Sequence, residues 1–162
     1  SKDGYLPWAK KITVPSGKVK KLTPIFISTS ATGEIIPTGD KEYYQIRNSI
    51  ITDKSATKES PIYSKDGTVK LWLEDNAILI EIGSSTKTVI QPDTVIRNVS
   101  FYKNRNDVVI FSNQNSIYAI ETETEGIQNF IPIYRGDEPS FKLVDENSIY
   151  VYDNGTLMQV II

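Results

Sequence analysis

The sequence predicts an all-β protein built from antiparallel four-stranded repeats, and three observations support this prediction. A hairpin-like stretch at 107–120 recurs after a shift of 38 residues toward the amino terminus and of 40 residues toward the carboxyl terminus. The chain also holds nine tyrosines and five phenylalanines beside many isoleucines, valines and threonines, and these residue types favour strands. Finally, the apolar runs 71–73 and 108–111 are continuous rather than alternating, which indicates sheets that are covered on both faces.

The repeated element is a β-hairpin. Residues 107–111 and 116–120 are rich in β-branched and aromatic side chains, and a polar turn separates them. The matching segments of the neighbouring units are 71–73 with 79–82, and 149–151 with 157–160. The side chains predicted to be buried are Leu71, Trp72, Leu73, Val109, Phe111, Ile149 and Val151. We expect residues 60–162 to be almost wholly β, in up-and-down order.

Each unit begins with a short strand and a turn before its hairpin. The predicted first strands are 62–63, 99–102 and 140–143. A fourth strand completes the first two units near 87–90 and 130–134, and Pro92 and Pro132 lie beside or within these strands. Proline suits the outer edge of a sheet because its missing N–H costs no ladder bond there. The third unit is predicted to stop after its third strand.

Four strands in about 40 residues is the spacing of β-propeller blades. The segment 60–162 therefore predicts about two and a half blades of a partial β-propeller, whereas closure takes roughly four to eight. Such a piece would belong to a longer chain, complete itself with another molecule, or form an open stack. Because its terminal faces and β edges would be bare, we expect a homo-oligomer rather than a lone monomer.

The first 28 residues suggest a separate small module. They contain the run Gly4–Trp8 with the pattern Gly-Tyr-x-Pro-Trp, a short alternating strand at 12–14, a Ser-Gly-Lys turn at 16–18, and Leu22 before Pro24. This run resembles the C-terminal half of a PEGA domain, a β module of bacterial surface and secreted proteins. The later units resemble the degenerate propellers that follow PEGA modules. The resemblance implies an extracytoplasmic protein of the cell surface or a periplasm-like compartment, with a longer secreted or membrane-anchored parent.

Residues 29–59 are predicted to form an irregular β region. The segments 42–46 and 49–52 could each be a strand, and 53–59 is a polar connector. The region is therefore either a degenerate first blade or a linker that carries two or three strands.

The composition excludes several kinds of chemistry. The sequence contains no cysteine and no histidine, which removes disulfides, thiolate and imidazole metal sites, and Ser-His-Asp catalysis. We expect no cofactor and no metal. Aspartates recur at equivalent turns, where carboxylates bond the local backbone far more often than they bind calcium. These residues are Asp66, Asp75, Asp107, Asp145 and Asp153.

The charge distribution gives no indication of nucleic-acid binding. The net charge is −2, and the lysines of residues 1–22 lack interleaved aromatics, so we expect them to guard an edge strand. Glu121, Glu123 and Glu125 alternate along one strand end. They are expected to solvate an exposed edge rather than to face each other as glycosidase carboxylates.

These inferences predict a non-enzymatic binding or scaffolding module of the bacterial cell envelope. Its partners would be other envelope or surface proteins, or polysaccharide, with no nucleic acid. Its binding surface is predicted to use Tyr5, Trp8, Lys10, Lys11, Tyr43 and Tyr44. The alternatives are a carbohydrate-active enzyme on a propeller and a self-assembling structural surface protein.

Overall fold

The computed structural model describes residues 7, 9–19, 21–22, 33–53 and 56–162. In these residues it contains the following elements, in chain order: β1 Gly33–Ile35, α1 Lys41–Ile51, β2 Ile62–Tyr63, β3 Val69–Glu74, β4 Ala77–Ile82, β5 Ser85–Ile90, β6 Asn98–Phe101, β7 Val108–Ser112, β8 Ser116–Glu121, β9 Phe130–Arg135, β10 Ser140–Leu143, β11 Ser148–Asp153 and β12 Thr156–Ile161.

The strands form three antiparallel four-stranded sheets. The first sheet has the order β2-β3-β4-β5, the second β6-β7-β8-β9, and the third β10-β11-β12-β1. The predicted all-β repeat fold is therefore confirmed. None of the sheets closes on itself within the part of the chain that the structure describes, and their arrangement as propeller blades stays a prediction.

The hairpins form where the sequence places residues that tolerate a left-handed backbone. Asp75 and Asn76 have φ angles of 49° and 60°, and Asn154 and Gly155 have 45° and 81°. A two-residue turn with positive φ matches the twist of the strands that it joins. In the second sheet the Asn113 carboxamide instead accepts the N–H groups of Asn115 and Ser116.

Side-chain burial follows the predicted pattern with one exception. Trp72, Val109, Phe111, Ile149 and Val151 are buried, as is Leu71. Leu73 is only half-buried, because it lies next to the hairpin turn at the end of β3.

The second sheet lies between the other two. One core cluster joins it to the first sheet through residues such as Leu71, Val99 and Phe111. Another joins it to the third sheet through residues such as Ile110 and Ile149. All five residues of β7 are consequently buried, which explains the continuous apolar run at this position.

The prediction that 42–46 and 49–52 could each be a strand was wrong. Residues 41–51 form α1 rather than two strands. Asp40 caps this helix by accepting the Glu42 N–H at 2.9 Å. Tyr43, Ile46 and Ile50 recur at helical spacing and pack on Tyr150, Tyr152 and Leu157 of the third sheet. The helix thus covers the outer face of this sheet.

β1 supplies the fourth strand that the third unit lacks. Gly33, Glu34 and Ile35 pair with Val160, Gln159 and Met158 of β12. The predictions missed this pairing because the two strands are far apart in the sequence. The segment 33–51 therefore forms no additional sheet, since it completes and covers the third one.

Candidate functional site

The predicted binding-surface residues do not form one surface in the part of the chain that is described. Tyr5 and Trp8 lie outside the described residues. Tyr43 is 5% exposed, and its hydroxyl donates to the Gly155 carbonyl at 3.2 Å. Its assignment to a binding surface was therefore wrong, because its ring packs against the third sheet. Tyr44 is 48% exposed and lies edge-on to Tyr43.

Lys10 is engaged in a buried ion pair. Its ammonium group lies 2.8 Å from Glu121 and 3.2 Å from Glu123, and the side chains of Lys10 and Glu121 are only 7% and 5% exposed. Burial disfavours the charged lysine, but the hydrogen bonds with the two glutamates outweigh it and raise the pKa of Lys10. Lys10 is thus not free to bind a partner, whereas Lys11 is exposed.

The expectation that Glu121 solvates an exposed edge was also wrong. Its residue is 4% exposed, since Lys10 and the Asn129 N–H cover its carboxylate. Burial opposes ionisation here, but the hydrogen bonds from Lys10 and Asn129 lower the pKa of Glu121. Glu125 remains exposed.

The turn aspartates make local hydrogen bonds at two positions. Asp66 accepts from the Ser64 and Thr68 hydroxyls and from the Thr68 N–H, and Asp145 accepts from the N–H groups of Asn147 and Ser148. The pKa of Asp66 is lowered to about 2, chiefly by the Ser64 hydrogen bond. Within the described residues no group of three or more acidic, histidine or cysteine side chains is placed to hold a metal ion.

A larger feature is a cleft of about 790 Å³ at the end of α1. Four parts of the chain line it: the end of α1 and Asp53, the start of β6, the loop before β10, and the turn between β11 and β12. The lining residues include Ile50, Ile51, Asp53, Arg97, Asn98, Asp137, Glu138, Ser140, Tyr152, Asn154 and Gly155. Both polar and apolar side chains thus face the same open space.

The loop 136–138 forms an acidic wall of this cleft, and its backbone is tightly fixed. The Gly136 N–H donates to the Asn115 carbonyl at 3.0 Å, and the Glu138 N–H donates to the Gln114 carbonyl at 2.7 Å. Between them the Asp137 N–H donates to the Asp153 carboxylate at 3.0 Å. Three consecutive N–H groups are therefore held by residues at or beside the hairpin turns of two sheets, which fixes the backbone that carries the Asp137 and Glu138 carboxylates.

Gly136 is required at the base of this loop. A Cβ atom on Gly136 would lie 1.9 Å from the Asp153 carboxylate and 2.6 Å from the Tyr134 ring. Asp153 is buried and accepts the Tyr134 hydroxyl at 2.7 Å. Burial, reinforced by this hydrogen bond, raises the pKa of Tyr134. Only a residue without a side chain allows the loop to approach Asp153 so closely.

The opposite walls of the cleft are also held in place. Arg97 forms an ion pair with Glu138 at 2.8 Å. Asn98 donates to the Phe141 carbonyl at 2.8 Å and accepts the Ser112 hydroxyl, so it bridges β6 and β10. Arg47 donates to the Tyr152 hydroxyl at 3.2 Å.

A second cavity of about 230 Å³ adjoins the cleft and shares Asp53 and Asn98 with it. Its other walls come from the first strands of the three sheets. They include Ile62 of β2, Val99 and Ser100 of β6, and Phe141, Lys142 and Leu143 of β10, together with Ala56. The cavity next to the polar cleft therefore has a mixed lining of apolar and polar residues.

The sequence analysis did not single out Arg97, Asp137, Glu138 or Tyr152. The sequence did contain one signal for Arg97, Asp137 and Glu138, because these residues lie in the segments that join one unit to the next. Such inter-unit segments gather on one face of a repeat protein and often carry its binding residues.

Comparison of the chain with protein-family models, with curated proteins and with solved structures gave no match. The resemblance of residues 1–28 to a PEGA domain therefore stays a prediction. No helix in the described ranges is both long and apolar enough to cross a membrane.

Proposed function

We propose that this chain is a non-enzymatic binding module and that the cleft at the end of α1 is its binding surface. The observation that carries the proposal is the fixed acidic loop 136–138, which places two carboxylates beside an open space of about 790 Å³. Binding sites in proteins are commonly concave, largely pre-formed and of this size.

The charge arrangement supports binding better than catalysis. Glu138 lies 2.8 Å from Arg97, so this carboxylate is already engaged in an ion pair. The sequence also lacks the histidine and cysteine that most nucleophilic mechanisms use.

The proposed setting is the bacterial cell envelope. It rests on the resemblance of residues 1–28 to half of a PEGA domain, and the partners proposed are envelope or surface proteins, or polysaccharide. Fractionation of the producing bacterium tests the setting: recovery of the protein with the cytoplasm alone would overturn it.

Site-specific photo-crosslinking in cells tests the binding surface. A photoreactive phenylalanine analogue would replace Asn154 on the cleft rim or Gln45 on an exposed part of α1. We expect crosslinked products from position 154 and not from position 45. Equal crosslinking at both positions, or none at position 154, would contradict the proposal.

A further inference from the structure

We infer that the cleft and the adjoining cavity together bind an extended segment of a partner protein that carries a basic side chain close to an apolar one. This inference rests on the proposed function and names the ligand class of the same site.

The charges of the cleft match a basic side chain. Among the described residues, Asp53, Asp137 and Glu138 line it together with one cation, Arg97, which already contacts Glu138. Lys142 is a lining residue of the adjoining cavity and not of the cleft. Asp53 and Asp137 are both exposed. The nearby Arg47 is directed to Tyr152, whose hydroxyl it bonds and whose ring centroid lies 5.6 Å away. A lysine or arginine of the ligand would therefore meet an excess of carboxylates.

The adjoining cavity suits an apolar side chain. Ile62, Val99, Phe141 and Leu143 contribute to its walls. It shares the lining residues Asp53 and Asn98 with the cleft, so one extended ligand can contact residues of both spaces. Burying apolar surface of the ligand against these side chains would add to the charge attraction.

The strands around the cavity favour an extended polypeptide over a polysaccharide. β2, β6 and β10 are the edge strands of their sheets, and edge strands present backbone groups that an extended peptide can pair with. A basic side chain of such a peptide can pair with the carboxylates of the cleft, whereas a neutral sugar carries no positive charge for them.

Titration of the isotope-labelled chain with designed peptides tests the inference. The probes are ten-residue glycine-serine peptides that carry one lysine and one leucine, separated by one to four residues. Matched peptides replace the lysine by glutamate or the leucine by serine. We expect at least one lysine-leucine spacing to shift the amide signals of Asp137, Asn154 and Ser100, and each replacement to weaken binding at least fivefold.

Protein variants provide the matched control. Asp137→Asn should weaken binding of the lysine-leucine peptide at least threefold, and the loss should shrink at high salt. Glu146→Gln removes an exposed acid outside both cavities and should leave binding unchanged. Urea unfolding of both variants verifies that they are folded. Equal effects of the two substitutions would overturn the inference.

The outcomes separate this inference from the proposed function. If a neutral oligosaccharide such as a chitin tetramer shifts the cleft signals and no peptide does, the peptide inference falls and the binding module stands. If neither the peptides nor the oligosaccharide bind and position 154 gives no crosslinks, the peptide inference and the proposed binding function are both contradicted.

Discussion

The hydroxyls of Tyr102, which is buried, and of Tyr134, which is half-buried, have opposite surroundings. The Tyr102 side chain is buried, and its hydroxyl has no hydrogen-bond partner among the described residues. The Tyr134 hydroxyl donates to the buried Asp153 carboxylate at 2.7 Å. An unsatisfied buried hydroxyl is a cost to the folded state, whereas a hydrogen bond to a charged group contributes to it.

Phenylalanine substitutions at these two positions should therefore have different effects on stability. Tyr102→Phe should leave the free energy of unfolding unchanged or raise it by up to about 1 kcal/mol. Tyr134→Phe should lower it by about 1.5–3 kcal/mol, since the bond to Asp153 is lost. Urea unfolding followed by fluorescence measures both. The same loss in both variants would show that the two hydroxyls are equivalent.

The Lys10–Glu121 ion pair also makes a specific prediction. Lys10→Met would remove one partner of an ion pair in which the Glu121 side chain is 5% exposed, and breaking a buried pair in this way costs about 3 kcal/mol. The adjacent Lys11 is exposed, so Lys11→Met should cost less than about 0.5 kcal/mol. Thermal unfolding of the two variants compares them. Similar melting temperatures would indicate that Lys10 does not hold residues 9–13 against the second sheet.

At the scale of elements, α1 takes the place that a further sheet would occupy. Its residues Tyr43, Ile46 and Ile50 cover Tyr150, Tyr152 and Leu157 of the third sheet. An isolated helix of 11 residues is marginal in water, so this packing is what stabilises it. In return the helix keeps the outer face of the third sheet from solvent.

Truncating Ile50, a buried residue of α1, should expose the outer face of the third sheet. Ile50 is 5% exposed and the adjacent Ile51 is 55% exposed. Ile50→Ala should lower the free energy of unfolding by about 2–4 kcal/mol, and Ile51→Ala by less than about 0.5 kcal/mol. Urea unfolding measures both. We also expect only the Ile50 variant to bind the dye ANS, which reports exposed apolar surface. If both variants behave alike, α1 does not cover the sheet in solution.

For the whole molecule, the three sheets are linked through corresponding turns as well as through their cores. Asn106 of the second unit donates to Asp66 of the first at 3.0 Å, and Asn104 donates to Glu146 of the third. The expectation of two bare terminal faces was wrong for the third sheet, since α1 covers it. The face of the first sheet opposite Leu71 carries the Lys70–Glu81 ion pair and an exposed Tyr63. Self-association stays a prediction, which light scattering of the chain would test.

The pH dependence of stability is also a property of the whole molecule. Asp66, Asp107, Asp145 and Glu121 all have lowered pKa values. A carboxyl group with a lowered pKa stabilises the fold above its unfolded pKa, near 4, and that contribution is lost as the pH falls through the folded value. For Asp66 the folded pKa is about 2.

At high pH the relevant groups have raised pKa values, so stability falls as the pH rises. Burial raises the pKa of Tyr102 to about 12, and the pKa values of Tyr134 and Tyr150 are also raised. The folded state keeps these hydroxyls protonated, so stability is full below about pH 10 and is lost as the unfolded tyrosines ionise. The chain has no histidine to titrate near neutrality.

We therefore expect a flat stability profile from about pH 5 to 9, with losses below about pH 4 and above about pH 10. Urea midpoints across this range measure the profile. Asp66→Asn should reduce the acid loss and leave the alkaline loss unchanged. A change of the urea midpoint near neutral pH, or no loss of stability at acid pH, would contradict the assignment of the pH dependence to these carboxyl and tyrosine groups.

The sequence by itself determined the repeated hairpins and most of their buried residues. Strand alternation, apolar runs and turn residues such as Asp75–Asn76 act between close neighbours in the chain. A local pattern therefore contains the information that places β3 with β4, β7 with β8, and β11 with β12.

Only the tertiary structure decided where residues 33–51 lie and where the cleft forms. β1 pairs with a strand more than 120 residues away, and the helical spacing of Tyr43, Ile46 and Ile50 becomes meaningful only beside the third sheet. The cleft combines residues from α1, β6, β11 and the loop before β10. Taken alone, the sequence of each of these segments is typical of an ordinary loop or strand. The charge and shape of the cleft arise from long-range packing, and sequence patterns between near neighbours do not reveal that packing.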